Sequence, residues 1–168
     1  RYQARSVADG MAFTNPELHT KLTVKADGAI LGAVLGTTPR VTVRTETITV
    51  NGRTQATTGG QPGAGACVVP HRLDEHGKCL KRIERRLGAI TEYWQNDPGQ
   101  LAQGWIFHRD LQGSETIGIT LNFDGAKALE LQGERDVVVR MPKASQDFRV
   151  GNLFVYDANK KTVPAYFT

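Results

Sequence analysis

The sequence predicts a mainly β (α+β) fold: an antiparallel β-sandwich or barrel-like sheets, with one amphipathic helix near residues 78–95. Short segments that alternate apolar with polar residues, or that are rich in β-branched residues, recur at the spacing of roughly 8–12 residues typical of antiparallel sheets. Turn dipeptides such as Asn51-Gly52 separate several of these segments. Strands do not alternate repeatedly with helices, which disfavours a Rossmann-type sheet.

Length and composition are those of an ordinary globular protein. The chain has 168 residues, which fits one domain, and its formal net charge of +4 at pH 7 permits an anionic partner without requiring one. No apolar run approaches the ~20 residues that a membrane-spanning helix needs. The chain begins at Arg1, which predicts a processed or excised fragment that would already have lost any signal peptide or anchor.

The first segment, residues 1–17, is polar and weakly periodic, and Asn15-Pro16 disfavours a helix there. We therefore expect a polar N-terminal arm, followed by a single β-rich domain over residues 18–168. An arm that leads into a regular strand could pair with the open sheet edge of a neighbouring molecule.

Residues 18–26 alternate between apolar and polar side chains, which predicts a half-buried strand. Residues 40–50 are rich in β-branched residues, but their apolar positions change phase, which predicts a β-bulge near residues 45–47. Asn51-Gly52 then predicts a type I′ hairpin turn, because both positions of that turn need a positive φ. The glycine-rich segment 57–66 is expected to be a loop.

A helix is predicted over residues 78–94 because apolar residues recur there at steps of three and four, with basic residues on the opposite face. The segment 96–99, Asn-Asp-Pro-Gly, would end it. The apolar stripe comprises Leu80, Ile83, Leu87, Ile90 and Trp94. A shorter helix followed by a strand over residues 89–95 is the alternative that the same pattern allows.

The last third of the chain is β again, with the clearest alternation in residues 115–123. Asp124-Gly125 predicts another hairpin turn. Gly151 lies where the pattern changes phase and predicts a bulge. The remaining strands are expected at residues 105–109, 126–131, 136–141, 148–156 and 162–168.

The segment 67–79, CVVPHRLDEHGKC, contains both cysteines and two of the four histidines. The favoured interpretation is a disulfide between Cys67 and Cys79 across a turn-rich stretch. Closing a loop of about 13 residues would stabilise the fold by ~3 kcal/mol in the chain-entropy account. Such a bond needs an oxidising compartment and would make the protein extracytoplasmic or secreted.

Other interpretations of the same segment remain open. Cys67, His71, His76 and Cys79 have the residue types of a zinc site, but their C-x3-H-x4-H-x2-C spacing lacks the usual C-x2-4-C knuckle. His76 precedes Cys79 near the predicted helix start, where a thiol pKa can be lowered, yet no acid partner or oxyanion-hole motif is visible. Asp74 and Glu75 lie beside the histidines, but adjacent charged residues in a turn are usually solvated. Two unrelated free thiols are the last alternative.

The common catalytic and cofactor motifs are missing from the sequence. Residues 59–65, GGQPGAG, are glycine-rich but lack the lysine and the strand–loop–helix context of a phosphate-binding loop. There is no GxSxG, no HExxH and no EF-hand loop. We therefore assign no catalytic residue and predict no cofactor, and an unfamiliar enzyme class stays an alternative.

The basic face of the predicted helix is the candidate anion-binding site. Its residues could contact the phosphates of a nucleic acid, although a solvated helix face is the favoured interpretation of such a charge pattern. The set comprises Lys78, Lys81, Arg82, Arg85 and Arg86.

These observations favour a non-enzymatic, extracytoplasmic β-sandwich module acting in adhesion or assembly, by fold-level analogy with surface-fibre and virion subunits. Its expected partner is another protein, or a second copy, bound through the N-terminal arm or a sheet edge. The first alternative is an anion- or nucleic-acid-binding domain using residues 78–86. The second is a hydrolase-like enzyme, with sugars as a candidate substrate class, around His71 and His76, with Asp74 or His108 as further candidates.

Overall fold

The computed structural model describes residues 3–33, 41–55, 57, 59–65, 79–109, 111 and 115–168. The chain divides into two compact units, which we call the N-terminal unit (Arg1–Asp124) and the C-terminal unit (Gly125–Thr168); the sequence predicted a single domain over residues 18–168. The described residues form three antiparallel sheets. The prediction of a mainly β protein is confirmed, and none of these sheets closes into a barrel.

The N-terminal unit contains two antiparallel sheets. In chain order its strands are β1 (Arg5–Val7), β2 (Gly10–Asn15), β3 (Thr20–Lys25), β4 (Gly28–Ala33), β5 (Val41–Val50), β6 (Arg53–Gln55), β7 (Gly63–Gly65), β8 (Cys79–Leu87), β9 (Ile90–Asp97), β10 (Gln100–Phe107) and β11 (Ile117–Asp124). The seven-stranded sheet has the order β1-β2-β3-β4-β5-β11, with β6 also paired to β5. The four-stranded sheet has the order β10-β9-β8-β7.

The segment expected as a polar arm, residues 1–17, contains β1 and β2. Its Ala12 and Phe13 are buried, and Phe13 belongs to the main apolar cluster of the unit. The hydrophobic pattern did not predict these two strands, because both are short and a tight turn separates them. The hairpin closes with Val7 opposite Gly10.

The bulge and the hairpin predicted for residues 40–53 are confirmed. Thr47 pairs with Thr120 and Thr45 pairs with Leu121, so Glu46 is the extra residue on β5. The extra residue shifts the in–out alternation of the side chains by one position, so the apolar residues before and after it are both buried. Asn51 and Gly52 have φ values of 50° and 75°, as a type I′ turn requires.

The predicted helix over residues 78–95 is wrong. Strands β8 and β9 form an antiparallel hairpin in which Leu87 lies opposite Ile90, and Gly88 adopts a φ of 62° in the turn. The buried apolar residues stand four apart within each strand, at 83 and 87 and again at 90 and 94, with a step of three across the turn. Even spacing within two strands joined by a two-residue turn therefore reproduces the periodicity of a helix.

Two apolar clusters join the sheets of the N-terminal unit. Ile83 and Trp94 of the four-stranded sheet share one cluster with Phe13, Leu22, Val24 and Ala29 of the seven-stranded sheet. Ile48 of β5 shares the second with Leu87 and Ile90. Full burial of each large side chain stabilises the fold by roughly 1.5–3 kcal/mol. The inner faces of the two sheets therefore supply the core of this unit.

The C-terminal unit is a small three-stranded sheet with the order β12-β13-β14. Its strands are β12 (Ala128–Leu131), β13 (Val137–Arg140) and β14 (Phe148–Val150), with a 3₁₀ turn at Ala144–Gln146. The predicted strands over residues 148–156 and 162–168 are largely replaced by β14 and one isolated bridge between Tyr156 and Thr162. The hairpin predicted at Asp124-Gly125 is wrong, because β11 pairs with β5 and β12 pairs with β13.

Candidate interaction surface

The segment 67–79, which contains both cysteines and two histidines, lies outside the described residues except for Cys79. The predicted site residues outside the described part are Cys67, His71, Asp74, Glu75, His76 and Lys78. Cys79 is the first residue of β8, and its backbone pairs with Gly65. The disulfide, the zinc site and the cysteine–histidine pair therefore remain predictions.

The predicted anion-binding residues do not share one face. Along a strand, residues 81 and 85 project to one side and residues 82 and 86 to the other. Arg85 is buried, and its Nε lies 2.5 Å from Glu92 Oε2. Arg82 is also buried, with its Nε 2.7 Å from Glu84 Oε1 and its guanidinium 3.8 Å from the centroid of the Tyr93 ring.

The other two described members of the basic set differ from this pair. Arg86 is exposed and donates from Nη1 to Thr91 Oγ1 at 2.9 Å, and Lys81 is half-buried. The helix that would have brought the basic residues together does not form. Arg85 lies on the core side of the hairpin, where a buried guanidinium group needs a carboxylate partner. Arg82 lies on the opposite side, against Glu84 and the Tyr93 ring.

A buried polar cluster connects the two sheets of the N-terminal unit around Glu92. This carboxylate is fully buried and accepts hydrogen bonds from Thr45 Oγ1 at 2.5 Å, Gln103 Nε2 at 2.8 Å and Arg85 Nε. Trp105 Nε1 donates to Thr45 Oγ1 at 3.1 Å. Thr45 lies on β5 and Glu92 on β9, so this bond bridges the sheets. Each carboxylate oxygen has a donor, which is the condition for burying a charge.

A second buried polar contact joins the ends of two strands of the same unit. Asn15 and Asn96 are both fully buried, and Asn15 Nδ2 donates to Asn96 Oδ1 at 2.9 Å. Asn96 Nδ2 donates to the Thr14 carbonyl at 2.9 Å, and Asn15 Oδ1 accepts from the Leu18 amide at 3.1 Å. The amide pair therefore fixes the end of β2 against the end of β9. Sequence reasoning noted Asn15 only as the residue before a proline.

His108 is the one enzyme candidate among the described residues, and the side chain to which it hydrogen-bonds there is a threonine, not a carboxylate. Its Nε2 lies 2.7 Å from Thr91 Oγ1, which also accepts from Arg86. In the described part of the chain, no group of three or more His, Cys, Asp or Glu side chains is placed to hold a metal ion. Among the residues that the structure describes, the contacts of His108 form neither a nucleophile–base–acid chain nor a metal site.

Exposed large apolar side chains concentrate in the C-terminal unit. Of the eight such residues among those described, only Leu18 and Ile106 belong to the N-terminal unit. The other six are Leu129, Leu131, Phe154, Tyr156, Val163 and Tyr166. Contiguous exposed apolar side chains mark surfaces that bind other molecules, and two pairs in this group are contiguous: Leu129 with Leu131 on one face of β12, and Phe154 with Tyr156. This group, which we call the apolar surface, is the candidate functional site.

The register of the C-terminal sheet explains why two leucines are exposed. Leu129 lies opposite Val139 and Leu131 opposite Val137, so all four side chains share one face of the sheet. Val139 is fully buried, whereas Leu129 and Leu131 are 51% and 53% exposed. This face of the sheet is therefore buried at β13 and exposed to solvent at the β12 edge.

The opposite face of this sheet is held by charges. Arg140 donates from Nε and Nη2 to Glu130 Oε2 at 2.9 and 2.7 Å, and from Nη1 to Asp147 Oδ2 at 2.9 Å. The Met141 amide donates to Asp147 Oδ1 at 2.7 Å. These hydrogen bonds, the one from Arg140 foremost, lower the pKa of Asp147, and the bonds from Arg140 likewise lower the pKa of Glu130.

The aromatic part of the apolar surface comes from a small turn near the end of the chain. Tyr156 bridges to Thr162, and the Val163 amide donates to the Val155 carbonyl at 2.9 Å. Asp157 Oδ1 accepts from the amides of Asn159 and Lys161, which closes the turn. Phe154 and Tyr156 thereby project to the same side, with ring centroids 5.3 Å apart.

Comparison of the chain with protein-family models, with curated proteins and with solved structures finds no match. Among the described residues, no helix has the length and apolarity to cross a bilayer.

Proposed function

We propose that this protein is a non-enzymatic, extracytoplasmic β-sandwich module that acts in adhesion or assembly and binds a protein partner through the C-terminal unit. The observation that carries the proposal is the concentration of exposed leucine and aromatic side chains on residues 125–168. Tyrosine and phenylalanine supply large contact areas at low conformational cost, which suits them to binding surfaces.

The N-terminal unit acts in this proposal as the rigid support. Its two sheets share two apolar clusters, and a buried hydrogen bond from Thr45 to Glu92 joins them, which supports a sandwich arrangement. The extracytoplasmic location rests on the predicted Cys67–Cys79 disulfide, which would restrain the segment leading into β8.

A bead assay tests the proposal with the full chain. Beads coated with the protein are mixed with one another and, separately, with intact cells of the source organism. We expect clumping or cell attachment, reduced at least about fivefold in a Phe154→Ser/Tyr166→Ser double variant, because exposed aromatic anchors dominate such interfaces. Ile106→Ser, which removes an exposed apolar side chain from the N-terminal unit, is the matched control and retains attachment.

Two results would overturn the proposal. One is that coated beads neither clump nor attach to cells. The other is that the double variant and the Ile106→Ser control lose attachment equally, which would remove the C-terminal unit from the interaction.

A further inference from the structure

Strand β12 is an open sheet edge whose backbone groups can be assigned from one hydrogen bond. The Gln132 amide donates to the Asp136 carbonyl at 2.8 Å, and these residues stand opposite each other in the β12–β13 register. Bonded and non-bonded pairs alternate along an antiparallel ladder. Residues 128 and 130 therefore bond to β13, whereas the N–H and C=O groups of Leu129 and Leu131 point away from it.

The same two residues carry the exposed leucine side chains of the apolar surface. No strand lies on the outer side of β12 among the described residues, and residues 125–168 are described without a gap. Natural edge strands are usually protected by being very short, by charged side chains such as lysine, by a proline or by a bulge. Ala128–Leu131 is short, and the Lys127 amide before it donates to the Arg140 carbonyl, but the strand has no lysine or proline within it and its one charge, Glu130, is bonded to Arg140. Within the described part of the chain, this edge therefore combines unpaired backbone groups with exposed apolar side chains.

We propose that β12 pairs antiparallel with β12 of a second copy of this chain, forming a two-fold symmetric six-stranded sheet; this inference rests on the proposed assembly function. With the symmetry axis at Glu130, Leu129 of each copy lies opposite Leu131 of the other. The outward N–H and C=O groups of both leucines then bond across the axis. The four leucines then lie together on the face that includes Val139, at the edge where this face is exposed.

The sequence of β12 favours a second copy over a different strand. Leucines stand symmetrically on both sides of Glu130, so a two-fold axis matches like with like, as an isologous interface requires. Directly opposed glutamates would repel, but Arg140 holds each one through two hydrogen bonds. The opposite edge, β14, is less suitable, because the alternation leaves only Arg149 facing outward there.

Disulfide trapping tests the register. In the proposed pairing Glu130 faces its counterpart as a non-bonded pair, with a Cα separation of about 4.5 Å that a disulfide can bridge. We expect Glu130→Cys to form a covalent dimer under mild oxidation at least about tenfold faster than Ser145→Cys, an exposed control away from β12. Peptide mapping identifies the linkage and separates it from products of Cys67 and Cys79.

Sedimentation equilibrium tests the energetics. Leu129→Pro removes one outward N–H without removing a bond to β13, and edge strands accept proline. We expect it to raise the dimer dissociation constant at least about tenfold, and Leu131→Lys to do the same. Val163→Lys, at another exposed apolar residue of this unit, is the control and leaves the constant within about twofold. Circular dichroism verifies that each variant is folded.

The pairing is overturned if the unmodified chain sediments as a monomer at about 0.1 mM, or if the two cysteine variants cross-link at equal rates. It is also overturned if Leu129→Pro stays folded and dimerises normally. Cell attachment in the bead assay combined with any of these results would leave the binding function standing with a different partner. Loss of both bead attachment and dimerisation would remove both proposals.

Discussion

Arg85 and Glu92 face each other across the β8–β9 hairpin with Nε and Oε2 2.5 Å apart, and their side chains are 1% and 0% exposed. Arg85 Nη1 also donates to the Ala26 carbonyl, so the guanidinium links this hairpin to the turn after β3. A buried ion pair with saturated hydrogen bonding tolerates loss of both charges far better than loss of one.

Removing one partner of this pair should strongly destabilise the protein. We expect Glu92→Leu or Arg85→Met to lower the free energy of unfolding by about 3–5 kcal/mol, because each leaves an uncompensated buried charge. The Arg85→Met/Glu92→Leu double variant should lose less than either single change. Urea denaturation measures these differences.

Arg44→Gln is the control for the ion-pair prediction. Its partner Asp124 lies 3.4 Å away, and both side chains are well exposed. The expected loss is under about 1 kcal/mol. A double variant as unstable as the sum of the single changes would show that the Arg85–Glu92 coupling is absent.

Gly10 provides a test of whether residues 5–15 belong to the sheet. A Cβ at Gly10 would lie 2.1 Å from the Val24 carbonyl oxygen, a backbone atom that cannot move aside alone. We expect Gly10→Ala to lower the free energy of unfolding by about 1–3 kcal/mol or more. Gly63→Ala is the control, since its Cβ would meet nothing within 4 Å. Equal stability of the two variants would indicate that β1 and β2 do not pack as described.

The buried amide pair predicts a further loss of stability. Asn96→Ala removes both the acceptor for Asn15 Nδ2 and the donor to the Thr14 carbonyl. Leaving buried polar groups without partners should cost about 1–3 kcal/mol. Asn122→Ala, at an exposed position of β11, should change stability by less than about 0.5 kcal/mol. Chemical denaturation compares the two variants, and a neutral Asn96→Ala would contradict the buried network.

The contacts of Asp147 predict a pH dependence. Because hydrogen bonds from Arg140 and from the Met141 amide lower its pKa in the folded chain, the carboxylate stabilises the fold above its unfolded value of about 3.9. This contribution is lost as the pH falls through the lower, folded pKa. NMR titration of the Asp147 carboxyl carbon and the Met141 amide measures the shift.

The Arg140→Gln variant is the control for the titration. Removing the guanidinium should raise the pKa of Asp147 toward its ordinary value, because the largest cause of the shift is gone. An Asp147 carboxyl that titrates at the same pH in both chains would refute the assignment.

The redox state of Cys67 and Cys79 can be measured, and it indicates the compartment of the protein. If Cys67 and Cys79 are paired, the intact mass lies about 2 Da below that of the reduced chain, from the loss of two hydrogens. Alkylation without reduction then adds nothing, and alkylation after reduction adds two groups. A fully alkylated unreduced chain would remove the basis for the extracytoplasmic proposal, and one bound zinc would favour the cysteine–histidine site instead.

Local sequence determined those parts of the fold that depend on neighbouring residues. The Asn51-Gly52 turn follows from the positive φ values that these residues tolerate, and the bulge at Glu46 follows from the phase change between Val43 and Ile48. The alternation of residues 117–123 likewise predicted the half-buried β11, whose apolar side chains all face one way.

Only the tertiary structure decided that residues 79–97 form a β-hairpin and not a helix. Apolar spacings of four and three fit a helix and also fit a two-strand hairpin, and burial against the seven-stranded sheet selects the hairpin. The same contacts bury Glu92 and Arg85, which by composition alone would be assigned to a solvated face.

The strand pairings were also decided by the tertiary structure. The sequence could not show that Asp124-Gly125 does not join a hairpin, because a turn dipeptide fixes the local backbone and not the partner of the next strand. Alternation predicted several strands, but it missed β1 and β2 and overextended the strands expected at residues 148–156 and 162–168. It also could not show that β12 pairs with β13 alone among the described residues, which leaves Leu129 and Leu131 at an open edge, because a local pattern does not specify the partners of a strand.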